Sequence, residues 1–164
     1  MPGRFIQAHL NSNDVAQVVY GSIVGLAVVV VLERHPPTAG QTAVALAGTA
    51  VAVGLAEVYS EFVGFEVNRR RRVRGAELRA MGVDALAVAF GAIFPAIFFL
   101  VAATDALTVR TAFALAKWTG LGLICAYGYV AARMAGSDRV GAMVRAAAVG
   151  AIGGFLIALK ALVH

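Results

Sequence analysis

Five stretches of about 20 mostly apolar residues, separated by short charged breaks, constrain this chain more than any other feature it carries. A helix needs about that length to cross the roughly 30 Å hydrocarbon core of a bilayer. The stretches are residues 15–32, 41–63, 81–103, 108–134 and 140–163. Charge and paired prolines end the first at Glu33, Arg34, His35, Pro36 and Pro37. A basic linker, residues 64–80, separates the second from the third. Thr104 and Asp105 close the third, and Gly136, Ser137, Asp138 and Arg139 close the fourth. The stretches fill over two thirds of the 164 residues, which leaves no length for a separate soluble domain. The expected fold is all-α: a single transmembrane domain, polytopic, with five transmembrane helices.

Composition agrees. Hydrophobic residues make up 60% of the chain and charged ones 14%, with a mean hydropathy of +0.82. A soluble domain carries about 25% charged residues. A water-soluble enzyme domain is therefore nearly excluded, since too few polar side chains exist to cover its surface. The net charge of +5 does not suggest nucleic acid, because the basic residues gather at one point between apolar spans. The single cysteine, Cys125, rules out an intramolecular disulfide and a cysteine-rich metal site, and it reads as core packing. The spans hold no His pair, no nucleophile–base spacing and no Gly-rich phosphate loop, so no enzyme activity is expected.

Arg and Lys set the expected orientation, because cytoplasmic flanks collect them. If the 64–80 linker is inside, that side holds ten basic residues, among them Arg4, Arg69, Arg70, Arg71, Arg72, Arg74, Arg79, Arg133, Arg139 and Arg145. The other side holds four: Arg34, Arg110, Lys117 and Lys160. The N-terminus is thus expected inside and the C-terminus outside. Residues 1–13 have no apolar core of a cleaved signal, and residues 4–10 suit a short interfacial helix. Asn13 or Asp14 is expected to cap the first span.

Ionisable residues within spans are costly, on the order of 2.5–3.5 kcal/mol at a helix centre, so function is sought there first. Glu57 and Glu61 are four apart and stack on one face of the second span, with Gly54 and Gly64 near that stripe. Like charges at this spacing disfavour double ionisation without a cation or a shared proton. Asp84 enters the third span at a depth similar to Glu61. A pocket of Glu57, Glu61 and Asp84 would offer hard oxygen ligands suited to Mn²⁺, Mg²⁺ or Fe²⁺, carried as substrate. Tyr59 and Ser60 lie on neighbouring faces, and Tyr20 and Ser22 in the first span are candidates for a polar lining. The plainer alternatives are pairing of Glu61 and Glu66 with Arg69, Arg70 or Arg79, pairing of Asp84 with Arg79 or Arg145, and simple packing of Tyr20 and Ser22.

Other features have structural readings. Lys117 and Trp118 suit an interfacial anchor, as do Lys160 and His164, and Pro95 is expected to bend the third span. Gly21 and Gly25, and Gly150 and Gly154, form G-x-x-x-G pairs that let helix backbones approach, within or between subunits. Arg69, Arg70, Arg71, Arg72 and Arg74 read as a topology determinant that also attracts anionic lipid headgroups.

The layout resembles the vacuolar iron transporter family. Val19, Tyr20, Gly21, Ser22, Ile23, Val24, Gly25 and Leu26 are similar to its first-span pattern, and Ala56, Glu57, Val58, Tyr59 and Ser60 to its second-span Gly-Glu-Tyr-x-Ser. The last span, from Arg145 through Gly150 to Gly154, resembles the family's small-residue-rich final helix. Val24 stands where the first-span motif has aspartate, span two contains no methionine, and the family's cytoplasmic metal-binding helices shrink to an arginine-rich linker. The resemblance implies five spans, a dimeric architecture and an ion-pathway role for Glu57.

These readings together describe a small membrane transporter or channel for a cation, with a divalent metal as the candidate ion and an acidic site near the cytoplasmic end of the second span. The alternatives are a non-transporting oligomeric scaffold or partner subunit and, behind it, an anion pore. The expected partners are the bilayer, its anionic headgroups and further copies of the chain. An Arg-rich, Lys-poor composition with abundant Ala, Val and Gly resembles a high-GC bacterium, which makes the inner membrane the expected location.

Overall fold

Residues 12–162 are described by a computed structural model, apart from the side chains of residues 12–14, 156 and 159–162. Six helices follow in order: α1 (Ser12–Leu32), α2 (Ala39–Arg69), α3 (Gly75–Ile93), α4 (Ala96–Ala102), α5 (Val109–Met134) and α6 (Arg139–Leu162). No strand occurs among the described residues. The interfacial helix expected over residues 4–10, capping by Asn13 or Asp14, and anchoring by Lys160 and His164 all fall outside the described residues or side chains.

Local chemistry explains the boundaries. Thr38 and Gln41 form a capping box at the start of α2: the Gln41 N–H donates to Thr38 Oγ1 at 3.3 Å and the Thr38 N–H to Gln41 Oε1 at 3.1 Å. Thr108 caps α5 in the same manner, accepting from the Thr111 N–H at 3.1 Å. The third apolar stretch is not one straight helix. Pro95 lacks an N–H, so the helical ladder breaks and α4 leaves α3 at 44°.

Helix continues well beyond the end of the second apolar stretch. α2 runs to Arg69 and α3 starts at Gly75, so the segment expected as a linker over residues 64–80 is helical at both ends, and only residues 70–74 form the turn. At 31 residues, α2 is about 46 Å long, roughly 16 Å more than a hydrocarbon core is thick. Asn, Glu and Arg end the apolar run without breaking the helix, since none of them bars helical geometry.

By length and composition, α2 and the Val15–Leu32 part of α1 can cross a membrane, and the bent pair α3–α4 adds a third span if taken as one. α1 is the hub: it packs mainly on α3 and α5, while α2 covers α3 and α4, and α6 lies on α5. A core of Val29, Leu46, Phe99 and Phe113 joins α1, α2, α4 and α5 at the end away from the basic turn, with the Phe99 and Phe113 rings edge to face at 4.7 Å. Leu26, Val30 and Ile124 form a second cluster between α1 and α5.

The α1–α3 contact is made by backbone. A Cβ on Gly21 would lie 1.9 Å from the Val88 carbonyl oxygen, one on Gly25 2.7 Å from that of Ala92, and one on Gly91 2.4 Å from that of Val18. The first-span glycine pair is thus an intrachain seam, completed by Gly91 on the partner helix. The last-span pair divides. Gly150 lies against Cys125, where a Cβ would come within 2.4 Å of the sulfur, whereas a Cβ on Gly154 would meet nothing within 4 Å.

Replacing Gly21 with Ala should therefore cost about 1–3 kcal/mol, because α1 and α3 must separate. Gly48→Ala, at a helical position with open space around it, should instead stabilise by about 0.5–1 kcal/mol. Thermal unfolding of both variants in one detergent tests the seam, and equal responses would refute it.

Candidate functional site

The carboxylates singled out in the sequence lie near one end of the bundle. Glu61 is eight residues from the end of α2 and Asp84 nine from the start of α3. Both are thus about 12–14 Å from the intervening turn. Asp84 and Glu57 are the acidic neighbours of Glu61. Glu61 and Asp84 meet at the α2–α3 contact, where Gly54 lets the helices approach: a Cβ there would lie 3.4 Å from the Ala85 carbonyl.

Glu57, one turn further in, has a different partner. Gln17 Nε2 on α1 donates to Glu57 Oε1 at 2.7 Å, a link between residues 40 apart. Gln17 is a site residue that the sequence reading missed. Its signal was faint, a lone amide in the first turns of an apolar span. The carboxylates thus form a linked row rather than a cage. Among the described residues, no group of three or more His, Cys, Asp or Glu side chains is disposed to hold a metal ion.

The proposed polar lining faces elsewhere. Tyr59 is 71% exposed and Ser60 is also exposed, so both look out of the bundle. Tyr20 is half exposed. Ser22 is buried and donates to the Val18 carbonyl at 2.7 Å, which is the packing alternative.

The arginine run has one member with a specific structural task. Arg71 donates to both Glu77 carboxylate oxygens, with Nη1 at 3.1 Å, and its guanidinium lies 4.7 Å from the centre of the Phe65 ring. It ties the end of α2 to the start of α3. Glu77 also accepts from the Arg74 N–H at 2.8 Å. Arg69, Arg70, Arg72 and Arg74 are exposed, and Arg70 ends α2 in the left-handed region, at φ 49°.

At the opposite end, Lys117, expected as an interfacial anchor, has a specific partner. Its Nζ lies 2.7 and 2.9 Å from the two carboxylate oxygens of Glu33, and each side chain is only about one-fifth exposed. The bond fastens α5 to the segment after α1. Trp118 is exposed beside it, as an interfacial residue would be. No protein-family model, curated protein or solved structure matches the chain.

Two predictions follow from these pairs. The Arg71 hydrogen bonds, then the Arg74 N–H, hold the Glu77 carboxyl below its ordinary value of 4.5. The unfolded chain therefore binds the proton more tightly, and the contribution of Glu77 to stability is complete above pH 4.5 and lost as pH falls through the lower folded value. Hydrogen-exchange protection of the Leu78 amide, with the intrinsic pH dependence of exchange divided out, should fall on acidification in the wild type and stay constant in Glu77→Gln. For the buried-end pair, a double-mutant cycle of Lys117→Met and Glu33→Gln should give a coupling of about 1.5–3 kcal/mol. A coupling near zero would leave Lys117 as an anchor alone.

Proposed function

We propose that this chain is a small integral membrane transporter or channel for a cation, working through the carboxylates of α2 and α3. In this reading the protein has five spans, with α3–α4 as one bent span, its N-terminus inside and its C-terminus outside. It sits in the plasma membrane of a bacterium as a homo-oligomer, and a dimer is the simplest form consistent with its resemblance to the vacuolar iron transporter family. Five short helices enclose little room, so the ion path is placed at a subunit contact or along the α1–α2–α3 face.

The supporting observation is the apposition of Glu61 and Asp84 beside Glu57. In this reading the two carboxyl groups hold one proton between them, an arriving cation displaces it, and departure of the cation lets it return. That exchange conserves charge at the site for a monovalent ion. A divalent ion would need further oxygen ligands, from a second subunit or from water. Glu57, held by Gln17, stands next along α2 as the inner acceptor. The basic turn fits a cytoplasmic mouth held at the headgroup level by exposed arginines.

Flux into proteoliposomes, with Mn²⁺, Fe²⁺, K⁺ or Cl⁻ gradients and an internal pH dye, tests this reading. Wild type should carry a cation with proton counterflow. Glu57→Gln should abolish flux without loss of fold, and Asp84→Asn should uncouple it from protons. Flux that follows the chloride gradient would make the chain an anion pore. No flux of any ion from folded protein would favour a scaffold or partner subunit.

A further inference from the structure

At the end of the bundle that holds the basic turn, α1, α5 and α6 meet through small side chains. Ala16 on α1, Ala131 on α5 and Ala148 on α6 leave an open groove of about 520 Å³, with Val19 and Val149 deeper along its walls. Along α5 the groove extends from Gly128 to Ala135, about 10 Å. Its lining is almost wholly apolar, and the exception is Arg145.

Arg145 is six residues into α6, about 9 Å from the helix start. No carboxylate among the described residues pairs with it. The first turn of α6 carries no acid. The nearby Asp138 is engaged locally, accepting from the Gly141 N–H at 2.9 Å. A positive charge thus stands in an otherwise apolar groove. A guanidinium favours phosphate by charge and by its fork of donors, and apolar walls favour methylene groups by about 0.8 kcal/mol for each one buried. A free phosphate would use only the first of these.

We propose that this groove binds one anionic phospholipid, its phosphate on Arg145 and the upper part of an acyl chain between α1, α5 and α6. The site is distinct from the exposed arginines of the α2–α3 turn, which attract headgroups without a pocket for the chain. It rests on the five-span reading proposed above, in which α6 crosses the bilayer, and is independent of transport.

Native mass spectrometry of the full chain in detergent, titrated with phosphatidylglycerol or phosphatidylcholine, tests the site. Phosphatidylglycerol should be retained as a single tightly bound lipid, and inorganic phosphate should not displace it. Arg145→Gln should weaken that retention about fivefold, with Arg145→Lys restoring most of it. Ala148→Phe fills the groove from an exposed position and should weaken binding, whereas Ala147→Phe, exposed on the same helix but outside the lining, should not. Joint replacement of Arg69, Arg70 and Arg72 by Gln should leave the bound lipid in place. Unchanged retention in Arg145→Gln, loss in the arginine-run variant, or displacement by inorganic phosphate would each overturn the proposal. Should Ala148→Phe fail to fold by circular dichroism, the Arg145→Gln and Arg145→Lys pair decides alone.

Discussion

The backbone contact between α1 and α3 sets the geometry of everything else. Helices in lipid gain nothing from hiding apolar surface, so they associate where small residues let backbones touch and dispersion contacts accumulate. Here Gly21 faces Val88, Gly25 faces Ala92, and Gly91 faces Val18. These pairings fix the register of two helices that both start from the end bearing the basic turn. Gln17 lies one turn before Gly21 on α1, so the seam also bears on where its amide meets Glu57. A larger side chain at Gly21 would move Gln17 away from Glu57 as well as destabilise the bundle.

The polar groups follow from that arrangement. α2 reaches α1 at few points, and the Gln17–Glu57 hydrogen bond is one of them. Glu61 turns instead to Asp84 on α3. In a low-dielectric setting an unpartnered carboxylate would cost several kcal/mol, and here Glu57 has its amide partner.

Much of this was legible in the sequence, and the part that was not has a common cause. Apolar runs marked all the long helices to within a few residues at most ends, and Pro95 marked the bend between α3 and α4. The stripe of Glu57 and Glu61 could be read because helical periodicity is local. Gln17 and the Lys117–Glu33 bond could not, since they join residues 40 and 84 apart and depend on helix register. Hydropathy also misplaced the end of α2: it reports where apolar residues stop, whereas Asn, Glu and Arg continue the helix to Arg69. The same limit applies to the G-x-x-x-G pairs. Spacing identified both, but only the structure shows that Gly21 and Gly25 meet α3 while Gly154 faces open space.

The distribution of side-chain size points to the medium around the bundle. Its inner contacts are made by Gly and Ala at the α1–α3 seam, by Ser22 and Thr42 with satisfied hydroxyls, and by a few rings at one end. Its outer face carries Val44, Val51, Leu55 and Tyr59 along a single stripe of α2, and Leu86, Phe90, Ile97 and Leu100 along α3 and α4. In water, an exposed apolar surface of that extent would drive association. In a bilayer it is the ordinary exterior, and the small-residue interior is what holds helices together without a hydrophobic drive. A groove between such helices then favours lipid over water, and in the lipid site proposed above the charge of Arg145 selects which lipid is held.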